Sequence, residues 1–227
     1  MTKISSTAGT TLPTLTASPS PTKPTLPKPE PLPVPKPGTN ILDKFLTPSR
    51  SENLAKNQAG QLDSIEKGVK SGALTEKEAS KLLTEQANVS EATSAAAADG
   101  VITAQESAKI QLMQAKAGLD VFLASHNGTH AAPQDPAVAK KQASQLDRIA
   151  QGVRSGSLTG DEASTLLKDQ ADIAQTVSDA QSDGDVDFIE KQMVGIRQDA
   201  ASFAISQDKH NDDKAPHASR LKFPVLF

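Results

Sequence analysis

The chain has 227 residues and a formal net charge of −3, and its only aromatic residues are six Phe. It contains no Cys, which excludes disulfides, thiolate metal sites and cysteine nucleophiles. Residues 1–40 carry four Lys and one Glu, a net charge of +3, which leaves −6 for the rest of the chain. We therefore expect no nucleic-acid partner, because phosphate binding requires Lys and Arg clustered on a folded surface.

The N-terminal segment is rich in proline. Ten of the 15 prolines lie between Pro13 and Pro37, mixed with Thr, Ser and Lys. Because this composition cannot supply the hydrogen bonds of helices or sheets, we predict a disordered Pro-rich arm over residues 1–50. Two interpretations of the arm stay open: a stiff spacer, or a docking segment for a protein partner that recognises PxxP motifs.

Targeting signals are not evident in the sequence. The N-terminus lacks an apolar stretch of about 7 to 15 residues, so a Sec-type signal peptide is not expected. No run of about 18 apolar residues occurs, so no transmembrane segment is expected. We expect the protein to be cytoplasmic or to be exported by a non-Sec route.

The remainder of the chain contains a long internal repeat. Residues 61–87 return as residues 145–171, 84 positions later, with 17 of 27 residues identical. A repeat of this length indicates one folded unit that has been duplicated. We predict helical repeats over residues 51–127 and 139–211, a linker over 128–138 and a C-terminal tail over 212–227.

Each repeat has the pattern of three helices. Apolar residues recur at steps of three and four, and Gly72 and Gly156 supply the residue that ends a helix in the left-handed conformation. Capping boxes mark the starts of the second and third helices. They are Thr75 with Glu78, Thr103 with Glu106, Thr159 with Glu162, and Asp187 with Glu190. The predicted fold is all-α, with two tandem three-helix units.

The second turn of repeat 2 has the spacing of an EF-hand calcium loop. Residues 179–190 read DAQSDGDVDFIE, with Gly184 at the sixth position, where the loop bends sharply. This pattern predicts one Ca²⁺ site formed by Asp179, Gln181, Asp183, Asp185 through its backbone carbonyl, Asp187 and Glu190.

The first repeat serves as an internal control for this site. Its matching stretch, residues 95–106, reads AAAADGVITAQE and has Ala95 and Ala97 where ligands are required. Two missing ligands abolish useful calcium affinity, so the shared glycine and glutamate are explained by the turn and the cap alone. We predict that only repeat 2 binds the ion.

These patterns resemble a known superfamily. A DGxxTxxE turn after an Ala-rich helix is similar to the EF-hand superfamily. The longer combination, with an SGxLTxxEA turn and a closing His-Asn, resembles a group of bacterial tandem-repeat proteins. The resemblance covers about residues 56–127 and 140–211. It implies a helical, EF-hand-like unit and brings no activity with it.

Other residues that suggest chemistry have simpler explanations. His126 and His210 close the third helix of each repeat, where a hydrogen bond to the last carbonyl groups is favourable. The chain has no HExxH, GxSxG, GxxxxGK[ST] or GxGxxG motif, so we do not expect an enzyme.

Two short apolar segments lie outside the repeats. They are ILDKFL over residues 41–46 and LKFPVLF over residues 221–227. Either these segments fold back onto exposed helix faces, or the C-terminal one docks into a protein partner.

The favoured function is a non-enzymatic binding or scaffold protein with one EF-hand-like calcium site in repeat 2. The alternatives are a purely structural helical interaction module without an ion, and an enzyme acting on an envelope or protein substrate.

Overall fold

The computed structural model describes residues 41–131, 135–182 and 188–216, and within these ranges the regular structure is helical. The predicted all-α class, with three helices in each repeat, is confirmed. The Pro-rich segment of residues 1–40 and the C-terminal LKFPVLF lie outside the described residues. The helices are α1 (Ile41–Ser71), α2 (Glu76–Ala97), α3 (Ala104–His126), α4 (Pro136–Ser155), α5 (Gly160–Ala180) and α6 (Phe188–His210).

The helix ends follow the local chemistry of the sequence. The capping boxes that begin α2, α3 and α5 are all formed, with the Thr hydroxyl accepting from the third amide and the Glu carboxylate accepting from the Thr amide. Gly72 and Gly156 have φ of 72° and 73°. These predictions are confirmed. The box of Asp187 with Glu190 includes a residue outside the described range.

A second glycine, near the end of the first helix of each repeat, is required for packing. A Cβ on Gly68 or Gly152 would lie 2.5 Å from the Cδ1 of Leu74 or Leu158, respectively. The leucine that follows the turn therefore folds back over the helix that precedes it, and its amide donates to the carbonyl of the same glycine. This close approach explains why both repeats carry the sequence GVxSGxL.

The two repeats build one hydrophobic core together. The first helices of the repeats, α1 and α4, pack against each other, and so do the second helices, α2 and α5. Helix α3 lies outside against α1 and α2, and α6 lies outside against α4 and α5. The largest buried cluster combines side chains of both repeats, among them Leu62, Ile65, Leu83, Leu146, Ile149 and Leu167. The two repeats thus share their largest core cluster, and a second, smaller cluster around Leu54, Ile102 and Ile110 lies within repeat 1.

Helix α1 begins earlier than the sequence predicted. Residues 41–50, which were assigned to the disordered arm, form its first turns, and the helix continues through Pro48. Proline removes one helical hydrogen bond, so this segment needs contacts elsewhere to stay helical. Its buried side chains are polar, at Asp43, Thr47 and Ser51, while Ile41 and Phe45 are 78% and 74% exposed. The apolar side of ILDKFL therefore faces away from the bundle.

Among the described residues, no helix is both long enough and apolar enough to cross a membrane.

Candidate functional site

The predicted calcium loop connects α5 to α6. Asp179 lies in the last turn of α5, Gln181 caps that helix, and Glu190 lies in the first turn of α6. The first and last positions of the predicted loop therefore lie at the end of α5 and the start of α6. Asp183, Asp185 and Asp187 lie outside the described residues, together with Gly184.

The described end of the loop is held by local hydrogen bonds. The Gln175 amide donates to Asp179 Oδ1 at 2.7 Å, and the Ser182 hydroxyl donates to the Asp179 carbonyl at 2.7 Å. The Asp179 side chain is exposed to solvent. Within the described ranges, no group of three or more His, Cys, Asp or Glu side chains lies close enough to hold a metal ion. The remaining predicted ligands belong to residues 183–187.

The corresponding turn of repeat 1 is closed by side chains of α1. The Thr47 hydroxyl accepts from the Ile102 amide at 2.9 Å, and Arg50 Nη1 donates to the Ile102 carbonyl at 2.6 Å. Arg50 also pairs with Asp43 at 2.7 Å. Ile102 is completely buried, so both of its backbone polar groups need protein partners. We call Asp43, Thr47 and Arg50 the α1 clamp.

The positions of repeat 2 that match Asp43 and Thr47 lie in the segment between the repeats. The positions 84 residues after Asp43 and Thr47 are Asn127 and Ala131, which follow α3 in the segment between the repeats. Ala131 has no hydroxyl group, and its amide donates to the Gly72 carbonyl instead. Asn127 and Ala131 both lie outside the helices, so the contacts that Asp43 and Thr47 make from α1 have no counterpart at these two positions.

Sequence reasoning missed the α1 clamp because its residues were assigned to the arm. A signal was present in the spacing of Asp43, Thr47 and Ser51, which are four residues apart. This spacing places three polar side chains on one face of a helix, opposite Ile41, Leu42 and Phe45.

Sequence reasoning also missed a set of buried glutamines. One glutamine lies in the middle of every helix, and each is at most 4% exposed. Some of their amides link helices: Gln58 donates to the Gln86 carbonyl at 2.9 Å, and Gln114 donates to the Leu54 carbonyl at 2.8 Å. The sequence did contain a sign of this set, because each of these glutamines lies 28 residues after the one before it. They are Gln58, Gln86, Gln114, Gln142, Gln170 and Gln198.

The paired His-Asn sequences stabilise helix ends, as predicted for the histidines. His126 Nδ1 donates to the Phe122 carbonyl at 2.8 Å, and His210 Nδ1 donates to the Ser206 carbonyl at 2.6 Å. Each following asparagine reaches the capping-box glutamate of the second helix in its own repeat. The end of the third helix is thereby tied to the start of the second.

Glu78 receives several of these hydrogen bonds. Burial raises the pKa of its carboxyl group, but donors on Thr75, Asn127 and Thr129 outweigh burial and hold the pKa below its usual value. The carboxylate is therefore a structural acceptor that joins three segments of repeat 1.

A groove of about 540 Å³ lies where α1 and α2 meet the turn that begins α5. Its walls include Ser90, Ser94 and Gly160, and Pro216, the last described residue, lines it as well. A Cβ on Gly160 would lie 2.7 Å from the Ser90 carbonyl oxygen, so α5 approaches α2 closely here.

No family model, no curated protein and no solved structure matches this chain.

Proposed function

We propose that this protein is a non-enzymatic binding or scaffold protein whose second repeat binds one Ca²⁺ ion in an EF-hand-like loop between α5 and α6. The observation that carries the proposal is the difference between the two copies of the turn. Repeat 1 has the α1 clamp and alanines at two ligand positions, whereas repeat 2 has Asn127 and Ala131 at the positions of Asp43 and Thr47 and has oxygen-bearing residues at every ligand position.

The ligand chemistry supports calcium as the ion. The loop offers four carboxylates, from Asp179, Asp183, Asp187 and Glu190, together with one amide and one backbone carbonyl. Ca²⁺ prefers six to eight oxygen ligands and accepts a bidentate glutamate at the last position of the loop. Mg²⁺ is smaller and retains water, so it suits this set less well.

The helix dipoles give an electrostatic reason for a cation at this place. Asp179 lies in the last turn of α5, and that turn contains no basic residue. A negative charge at a helix C-terminus is unfavourable by roughly 0.3–1 kcal/mol when exposed, and the other acids of the loop repel it further. A bound cation removes this repulsion and joins the end of α5 to the start of α6.

Isothermal titration calorimetry of the full chain with calcium chloride tests the proposal. We expect one ion per chain, with a dissociation constant between about 10⁻⁷ and 10⁻³ M. Glu190→Gln removes the bidentate ligand and abolishes the measurable heat. Glu106→Gln, the matched change in repeat 1, leaves the titration unchanged because repeat 1 lacks the other ligands.

Two results would contradict the proposal. The absence of any heat at millimolar calcium would show that the acids only cap helices, as in the purely structural alternative. Equal weakening by the Glu106 and Glu190 substitutions would show that the effect is one of folding rather than ligation. Circular dichroism of both variants establishes that each retains its helices.

A further inference from the structure

Helix α6 carries two faces with apolar spacing. Its inner face, formed by Val194, Gln198, Ala201 and Ile205, is buried against the bundle. Its outer face repeats the same steps of three and four residues, but it faces solvent. We call this the outer seam of α6, formed by Ile189, Met193, Ile196, Ala200 and Phe203. Phe203 is 72% exposed, and Ile189 and Ile196 are each 66% exposed.

Repeat 1 shows that the fold does not require this seam. Helix α3 occupies the same place in its repeat as α6, and the residues 84 positions earlier are Gln105, Lys109, Leu112, Lys116 and Leu119. Three of these five are polar, and Lys116 forms an ion pair with Asp120 at 2.7 Å. An outer helix of this bundle is therefore stable with lysines at two of the seam positions, so the apolar residues of α6 need another explanation.

The spacing of the seam specifies a helical partner. Steps of four, three, four and three residues match the a and d positions of a heptad, which pack against a second helix. Helix α6 has 23 residues and is therefore about 34 Å long, which is enough for three heptads. Among the described helices, none packs on this face, because α6 contacts α4 and α5 through its opposite side.

The exposed area approaches what a dimer interface needs. The seam and the neighbouring Phe188 contain five large apolar side chains, between 46% and 75% exposed. Side chains of this size present on the order of 150–200 Å² when free, so together they offer roughly 500–600 Å² per copy. A standard interface buries about 800 Å² per partner, and the aliphatic parts of the flanking polar residues supply the remainder.

We propose that the outer seam of α6 packs against the same seam of a second copy of this chain, related by a twofold axis. A twofold interface requires one self-complementary surface, and an apolar heptad seam fulfils this condition because identical seams interdigitate. The contact buries the large apolar patch of each copy, a type of surface that soluble monomers rarely leave exposed.

Sedimentation velocity of the full chain over a range of concentrations tests this proposal, with Met193→Lys combined with Ala200→Lys as the variant. This pair gives α6 the lysines that α3 carries at the same positions, so the fold tolerates them. We expect the unaltered chain to form a dimer and the variant to raise its dissociation constant by roughly tenfold or more for each buried lysine. Leu112→Lys combined with Leu119→Lys in α3 is the matched control and leaves the dimer intact.

Three outcomes would overturn the proposal. The unaltered chain could sediment as a monomer at every concentration, which would mean that another segment or another protein covers the seam. The α6 variant could remain dimeric while keeping its helical circular dichroism. The α3 control could dissociate the dimer as strongly as the α6 variant. None of the substituted residues is a predicted calcium ligand, so the result is independent of the calcium titration.

Discussion

Replacing Thr47 by Val tests the α1 clamp with minimal change of shape. Valine keeps the size and β-branching of threonine and removes only the hydroxyl group. That hydroxyl accepts the Ile102 amide at 2.9 Å and donates to the Asp43 carbonyl at 2.8 Å. Because Thr47 is 3% exposed and Ile102 is completely buried, water cannot replace the lost acceptor without opening the turn.

The magnitude follows from the unpaired amide. Leaving a buried donor without a partner costs about 1–3 kcal/mol, so we expect Thr47→Val to lower the free energy of unfolding by about 2 kcal/mol. With a urea m-value near 2–3 kcal/mol/M, the unfolding midpoint falls by about 0.7–1 M. The m-value itself should stay unchanged, because the change does not alter the surface exposed on unfolding.

Thr93→Val is the control for this experiment. The Thr93 hydroxyl donates to the Val89 carbonyl of its own helix at 2.8 Å. That carbonyl keeps its helical hydrogen bond after the substitution, so the expected cost is below about 0.5 kcal/mol. Equal midpoints for Thr47→Val and Thr93→Val in urea unfolding would refute the argument that α1 holds the turn of repeat 1.

Three further substitutions test two buried glutamines and one carboxyl group with a raised pKa. Gln142→Leu should raise the free energy of unfolding by about 1–2 kcal/mol, because the Gln142 amide is buried without a hydrogen-bond partner among the described residues. Gln58→Leu should lower the free energy of unfolding, because the Gln58 amide donates two hydrogen bonds to α2. Urea unfolding measures both changes. A loss of stability in both variants would contradict this. Burial and the charge of Glu162 raise the pKa of the Asp208 carboxyl group in the folded protein above its usual value of 3.8. The protonated carboxyl group therefore favours folding below pH 3.8. This contribution is lost as the pH rises through the pKa of the folded state. Asp208→Asn should therefore stabilise the protein at pH 7, and the gain should shrink as thermal melts are taken toward pH 4.

The sequence was most informative where structure depends on neighbouring residues. A capping box such as Thr75 with Glu78 is complete within four residues, and Gly72 adopts its left-handed conformation because of the turn in which it stands. Helix number, helix order and most helix ends could therefore be predicted. Asp179 and Glu190, the first and last residues of the proposed calcium loop, lie at the ends of α5 and α6 as the sequence predicted.

The missed features depend on residues that are far apart in the chain. Thr47 binds a backbone amide 55 residues away, and Gln114 binds a carbonyl 60 residues away. Hydrophobic periodicity cannot reveal such contacts, because it treats every polar residue as a surface residue. The shared core was missed for a similar reason: an apolar face shows that a helix is buried, but it does not show which helix covers it.

The chain also follows a period of 28 residues, which is shorter than the repeat. Among the described residues, the glycines with positive φ are Gly72, Gly100, Gly128 and Gly156, and each lies 28 residues after the one before it. Each helix is therefore one unit of a 28-residue pattern. In that pattern α2, α3 and α5 begin four residues after a glycine, whereas α4 begins eight residues after Gly128, at Pro136. Helix α1 instead starts at Ile41, seven residues before the position that the same period assigns.

The early start of α1 determines what closes the second turn of repeat 1. It brings Thr47 and Arg50 alongside the turn, where they hydrogen-bond to the amide and the carbonyl of Ile102, and Asp43 pairs with Arg50. In repeat 2 the residues that match Asp43 and Thr47 are Asn127 and Ala131, which lie outside the helices and precede the start of α4. Under the proposed function, the carboxylates of residues 179–190 hold the second turn through a bound cation instead. We therefore propose that the acids of repeat 2 do for its second turn what the α1 clamp does for the second turn of repeat 1.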